Sequence, residues 1–313
     1  MDSYHDETIL IKTYNILRLL AEILLLILKI IYYICEDIYK LIVPPKKKSV
    51  AGEIVLITGA GSGIGKELAI GYASLGATVV CWDIDEKTNN QTMNDIKKMG
   101  RNSVYAYRCD VTDKEEVFKV AEKVKNEVGD VTILVNNAGI VFVKSFLNQT
   151  LDEIARVIDV NVTSHYWTLK AILPRMIEKN YGHVVAISSI TGLASGPYGT
   201  VYGPSKFAVK AIMEAISEEL RILSKGKSSI KFTTVYPTFV QTGFAESKIR
   251  FSWLGPLLPQ KAAALIINAQ RQNCENKSLP SIVLPGSKLM RLLPDKAFKC
   301  ILDFIDISAY PEE

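Results

Sequence analysis

From Glu53 onward the chain alternates short apolar runs with longer amphipathic stretches, and that alternation leaves few folds open. Strands are predicted at 53–58, 78–83, 103–108, 132–136, 183–188 and 230–236. Helices are predicted between them at 64–74, 86–99, 114–128, 151–178 and 205–224. Strand and helix repeated this often imply a parallel sheet covered on both faces. Right-handed crossovers then make it a doubly wound α/β sheet of the Rossmann type. Residues 50–313 suffice for one such domain with a well-buried core.

Residues 1–49 read differently. The mean hydropathy of the whole chain is +0.16, and Thr8–Val43, dominated by Leu and Ile, accounts for most of it. The run stops at Pro44-Pro45 and Lys46-Lys47-Lys48 and has no small-residue cleavage site, which argues against a cleaved signal peptide. At 100° per residue, Asn15, Arg18, Glu22, Lys29, Glu36 and Lys40 fall in a sector of about 60°, with Leu and Ile filling most of the rest. A helix of about 50 Å exceeds the ~30 Å hydrocarbon core, so it is expected either to span with tilt or to lie partly embedded. Acidic Asp2, Asp6 and Glu7 precede it and three lysines follow, which puts the α/β domain on the cytosolic side. The formal net charge is +4 and no basic run is interleaved with aromatics, so nucleic-acid binding has no support. Five cysteines without a C-x-x-C pair suit a reducing compartment, and the three histidines lack metal-ligand spacing, so no metal is expected. His165 and His183 read as structural.

Directly after the first strand stands Thr58-Gly59-Ala60-Gly61-Ser62-Gly63-Ile64-Gly65. Glycines there permit a tight turn and let the backbone approach a pyrophosphate at the N-terminus of the next helix. Asp83 closes the second strand, eighteen residues beyond Gly65. A carboxylate at that place accepts hydrogen bonds from ribose hydroxyls and repels a 2′-phosphate, so NAD is expected over NADP.

Tyr202 and Lys206 stand four residues apart, which on a helix stacks a phenol and an amine on one face. A free phenol has a pKa near ~10, and a nearby ammonium favours its ionised form. Tyr202 is therefore expected to take the proton of an alcohol as hydride leaves for a nicotinamide. Pro204 in the first turn costs little, because its missing N–H has no helical partner there. Ser188 and Ser189, at the end of a strand, carry equivalent hydroxyls able to stabilise a substrate oxygen, and spacing alone does not choose between them. Asn161, in the long helix before that strand, is a further polar candidate.

Taken together, these residues resemble the short-chain dehydrogenase/reductase family over residues 52–245. Thr58–Gly65 is similar to its T-G-x-x-x-G-x-G cofactor loop, and the loop lacks the basic residue typical of NADP-binding members. Asp110-Val111 resembles the adenine-contacting position, and Asn136-Asn137-Ala138-Gly139 its sheet-steadying N-N-A-G motif. The resemblance implies a catalytic tetrad of Asn161, Ser189, Tyr202 and Lys206, selecting Ser189 over Ser188. It further implies that Lys206 holds the nicotinamide ribose and that Asn161 helps order a proton-relaying water. Pro237, Val240 and Thr242 match the segment gripping the nicotinamide carboxamide, with Thr238 in place of the usual glycine. Within the family the likeness is to the membrane-associated branch of epidermal retinol dehydrogenases and 17β-hydroxysteroid dehydrogenases of types 11 and 13. That implies lipophilic alcohols as substrates, residence at endoplasmic reticulum membrane or lipid droplets, and a homodimer through the helices flanking the Ser189 strand.

Beyond Thr242 the pattern thins. Residues 243–260, with Phe244, Phe251, Trp253, Leu254 and Leu257, read either as a lid over an apolar substrate or as a loop tucked into the core. Residues 284–307 combine apolar residues with Lys288, Arg291, Lys296 and Lys299, as a second membrane-surface contact or as packing against the sheet. Two functions follow: NAD-dependent oxidation of a lipophilic alcohol to its carbonyl, or a membrane or lipid-droplet scaffold retaining the fold. Turnover separates them.

Overall fold

The computed structural model of this chain describes residues 2–243, 247–249, 256–305 and 307–309. The chain divides into two units, residues 1–47 and 48–313. In the first, helix α1 (Asp2–Ile42) carries two ion pairs spaced one turn apart along the expected polar stripe. Arg18 meets Glu22 at 3.0 Å and Lys40 meets Glu36 at 2.8 Å. Large apolar side chains such as Leu24, Leu25 and Ile31 are exposed. Among the described residues no helix is long and apolar enough to cross a membrane. Arg18, Glu22, Lys29 and Glu36 recur too closely along α1, so the expected tilted span finds no support.

The second unit runs β1 (Ile54–Thr58), α2 (Gly63–Ser74), β2 (Thr78–Asp83), α3 (Glu86–Lys98), β3 (Val104–Arg108), α4 (Lys114–Glu127) and β4 (Ile133–Asn136). It continues through α5 (Leu151–Ile158), α6 (Ser164–Lys179), β5 (His183–Ile187), α7 (Tyr202–Leu223) and β6 (Lys231–Pro237). Strand β7 (Ser247–Ile249), α8 (Pro259–Arg271), β8 (Asn276–Leu279), α9 (Val283–Met290), α10 (Asp295–Ile305) and β9 (Ile307–Ala309) complete it. Seven strands form one parallel sheet in the order β3-β2-β1-β4-β5-β6-β8, while β7 and β9 pair antiparallel on their own. The doubly wound expectation therefore holds, with the order reversing between β1 and β4.

Side chains along β1 alternate between two buried layers. Val55 and Ile57 pack with Leu68 and Tyr72 of α2, Ile96 of α3 and Ile266 of α8. Leu56 points the other way, into Val117 of α4, Leu169 and Ile172 of α6, and Val209 and Met213 of α7. A strand buried on both faces has to be apolar throughout, which is why β1 reads as an unbroken run. Truncating Leu56, fully buried, would cost about 2–5 kcal/mol.

Two boundaries differ from expectation. The helix predicted over 151–178 is divided, α5 and α6 being joined by a π-type turn at Asp159–Thr163. Helix α7 begins at Tyr202, three residues earlier than predicted, and Pro204 sits harmlessly in its first turn. Of the expected lid, Phe244, Phe251, Trp253 and Leu254 lie outside the described residues.

Candidate active site

The glycine loop is built so that backbone can reach what side chains would block. Gly59 and Gly63 have φ of 66° and 52°, a region open chiefly to glycine. A Cβ on Gly65 would stand 1.9 Å from the Gly59 carbonyl oxygen. The motif residues after β4 brace this loop from below. Thr58 Oγ1 accepts from the backbone N–H groups of Asn137 and Ala138, each at 3.0 Å, and Asn137 Nδ2 donates to the Thr58 carbonyl at 2.9 Å. Helices α3, α4 and α5 are capped by Asp85, Asp113 and Thr150. Helix α2 is not: Ser62 makes no side-chain cap bond, and Ile64 follows in its first turn. An uncapped helix start above a glycine cradle suits a pyrophosphate.

Asp83 belongs to the same loop. Its Oδ2 accepts from Gly61 N at 2.8 Å and its Oδ1 from Asp85 N at 2.9 Å. The carboxylate is thereby held against the loop with acceptor capacity remaining on both oxygens. Asp110 Oδ1 is tied to Thr112, and Val111 beside it is buried. Asp110 lines a cavity of about 230 Å³ with Ile84, Arg156 and Asp159. Pro237 ends β6, and the chain beyond it returns to the phosphate loop. A Cβ on Gly63 would meet Thr242 Cγ2 at 3.1 Å, and Val240 bridges to Leu257. Thr238 causes no distortion: its φ is not positive, and its N–H donates to the Leu279 carbonyl at 2.9 Å. These residues fit a dinucleotide.

The four predicted catalytic residues converge next to that cradle. Lys206 Nζ lies 5.5 Å from the Tyr202 ring centroid and donates to the Ile187 carbonyl at 3.0 Å. Gly139 is where the loop after β4 meets the π-type turn and α7, since a Cβ there would be 3.3 Å from Asn161 Oδ1 and 3.4 Å from Lys206 Nζ. Asn161, on the π-type turn, donates both amide hydrogens, to the Ile140 carbonyl at 2.9 Å and to Ser205 Oγ at 3.1 Å. Its Oδ1 accepts from Ile140 N at 2.8 Å, so the side chain fixes the turn after Gly139. Ser188 and Ser189 separate cleanly. Ser188 Oγ is buried and donates to the Lys206 carbonyl at 2.8 Å, whereas Ser189 Oγ caps a short 3-10 turn, Ile190–Gly192, by accepting from Thr191 N at 3.1 Å.

Electrostatics correct one expectation. Burial pushes the Tyr202 phenol up to about 12, against a smaller lowering by its hydrogen bond with Ser189. Burial also pushes Lys206 down, to about 8. The ammonium alone therefore does not hold the phenol in its ionised form. For both groups the largest cause is burial, which disfavours the charged form. His165 is pushed down to about 3 by burial and then by Lys206, and stays neutral. His183 is likewise neutral, held between Lys48, Gln270 and Thr233. Among the described residues no group of ligating side chains could hold a metal.

Sequence reasoning missed three contributors: the π-type turn that aims Asn161, Ser205 as its partner, and Arg291, whose guanidinium reaches the Leu193 carbonyl. Only Ser205 had a signal, its place beside Lys206.

The short chain dehydrogenase family profile matches residues 53–252. Short-chain dehydrogenase/reductase family 16C member 6 of Bos taurus is 47% identical over 77% of this chain and 76% of its own length. Human epidermal retinol dehydrogenase 2 is 40% identical (89% and 90%), and human 17-beta-hydroxysteroid dehydrogenase 13 is 38% identical (90% and 92%). A short-chain dehydrogenase/reductase from Burkholderia phymatum solved in complex with NAD superposes with a TM-score of 0.70 at 26% identity, covering 78% of this chain and 94% of that one. A metagenomic short-chain oxidoreductase in complex with NADP gives 0.61 at 26%, covering 74% and 96%. The chain is an oxidoreductase and belongs to the short-chain dehydrogenase family, in its retinol and hydroxysteroid dehydrogenase branch.

Proposed function

We propose that this protein oxidises a lipophilic alcohol, of retinoid, hydroxysteroid or fatty-alcohol type, with NAD at a membrane surface. The observation that carries the reading is the meeting of Ser189, Tyr202 and Lys206 across Gly139 from an uncapped glycine cradle. NAD, when bound, supplies the hydride acceptor and a positively charged ring. Ser189 Oγ steadies the alcohol oxygen by hydrogen bonding. Tyr202 Oη takes the hydroxyl proton as the carbonyl forms. Lys206, below its pKa of about 8 at neutral pH, stays mostly protonated and adds its charge on the same side of the phenol. Positive charge beside the phenol favours its ionised form, against the burial that raises it. Asn161 holds the Ile140 turn, and with it Gly139, in place.

Asp83 supports NAD over NADP, since a 2′-phosphate would meet its carboxylate. The exposed Leu and Ile of α1 support an interfacial helix lying in the headgroup region of endoplasmic reticulum or lipid-droplet membrane, with the α/β domain on the cytosolic side. Residues 284–307, with Leu289, Leu292 and Phe304 exposed, then act as a second contact. A homodimer through α6 and α7 belongs to the same reading.

Purified protein offered retinoids, hydroxysteroids and fatty alcohols should form NADH with at least one of them, and less reduced cofactor when NADP replaces NAD. No reduced cofactor from any alcohol ends the proposal. For the helix, full-length protein should float with lipid vesicles; recovery in the lipid-free fraction contradicts the surface assignment.

A further inference from the structure

Arg291 stands at the C-terminal end of α9, far along the chain from the catalytic residues, yet its side chain bridges two elements next to them. One guanidinium nitrogen donates to the Leu193 carbonyl at 2.5 Å. Its centre lies 5.6 Å from the ring centroid of Phe207, the residue after Lys206. Leu193 closes the 3-10 turn that Ser189 opens: Gly192 N donates to the Ser189 carbonyl at 2.9 Å and Leu193 N to the Ile190 carbonyl at 2.9 Å. The turn has no slack on its inner side, where a Cβ on Gly192 would stand 2.6 Å from Ser188 Oγ and 2.7 Å from the Lys206 carbonyl oxygen. On its outer side, Arg291 is the described side chain that donates to a backbone carbonyl of the turn's end. Helix α9 is itself anchored to the sheet edge, Leu284 N donating to Ser278 Oγ at 2.8 Å. A planar cation that both stacks on an aromatic face and hydrogen-bonds a carbonyl fixes two surfaces at one distance, which a lysine does less well.

We propose that Arg291 is a positioning residue for Ser189, clamping the Ser189–Leu193 turn to α7 and so coupling the C-terminal segment to the alignment of the substrate hydroxyl. The proposal rests on the reading of Ser189 as the group that meets the alcohol oxygen. Arg291 touches neither alcohol nor cofactor; it acts through the turn.

The test compares Arg291→Met, Arg291→Lys and Ser189→Ala with the unaltered full-length protein. Arg291→Met should lower kcat about tenfold, the scale of a sub-ångström misplacement, while leaving the KM for NAD unchanged. Amide hydrogen exchange should accelerate at residues 190–194 and not in the distant strands β2 and β3. Arg291→Lys should fall between, keeping the charge and losing the flat face. The exchange readout needs no turnover. Unchanged exchange at 190–194 in Arg291→Met, or an unchanged kcat, overturns the proposal, as does a loss of melting temperature without a change in kcat. Ser189→Ala separates the two ways of failing. If that variant is inactive while Arg291→Met behaves as the unaltered protein, only the clamp is wrong. If Ser189→Ala turns over normally, the reading of Ser189 itself falls and takes the clamp with it.

Discussion

The nucleotide half of the α/β unit and the C-terminal stretch 283–305 obey different rules. In the first, residues are dictated by where backbone must go: Gly65 sits where one methyl group would enter the Gly59 carbonyl. In the second, large side chains lie in the open, Leu289 at 68% exposure and Leu292 at 80%. A site whose shape is made of backbone tolerates almost no substitution, whereas a surface facing an apolar substrate or membrane needs only greasiness and area. The chemistry is therefore written in identities at fixed spacings, and the substrate preference is not.

Substitutions can sharpen or break that contrast. The largest effect on cofactor binding is expected from the smallest change, Gly65→Ala, which should weaken NAD binding by a hundredfold or more (roughly 3 kcal/mol), because the added Cβ would stand 1.9 Å from a carbonyl oxygen. Isothermal titration checks it, and wild-type affinity would remove the cradle argument.

Lys206→Met should stop turnover yet stabilise the fold. Lys206 has its folded pKa depressed from 10.5 to about 8, so below pH 8 folding must carry a charge into the interior. Between pH 8 and 10.5 the unfolded chain binds more protons than the folded one, and stability of the unaltered protein rises with pH. The variant should be more stable at pH 7 by ~1–2 kcal/mol, once its lost bond to the Ile187 carbonyl is set against the relieved burial. That advantage should shrink as pH rises from 8 to 10.5. Denaturant melts at several pH values read it, and an advantage that grows with pH contradicts the assignment. At the other extreme, Leu292→Ala removes an isopropyl group and should shift stability by no more than about 0.5 kcal/mol, with NAD affinity unchanged. A large loss there would mean the C-terminal segment is packed core after all.

The same contrast explains what the sequence made legible. The glycine loop, Asp83 and the Tyr202–Lys206 spacing could be read because each is a residue type that chemistry or sterics demands at one place. Ser189 could not be told from Ser188 by spacing, since the difference is which hydroxyl the Lys206 carbonyl consumes, a tertiary fact. The π-type turn at Asp159–Thr163 was not legible because a sequence that is helical on both sides of it reads as one continuous helix. The seventh strand, Asn276–Leu279, was invisible for another reason: a four-residue edge strand reading N-K-S-L has no apolar run to detect. The depressed lysine and raised phenol were unreadable too, since burial sets both.

The most direct measurement is single-turnover formation of NADH by Tyr202→Phe with an alcohol the unaltered protein oxidises. The account predicts a loss of at least about a thousandfold in the chemical step, within the range attributed to general bases, with NAD binding preserved. Turnover at the unaltered rate would show that the phenol does not take the proton, and would contradict the account at its centre.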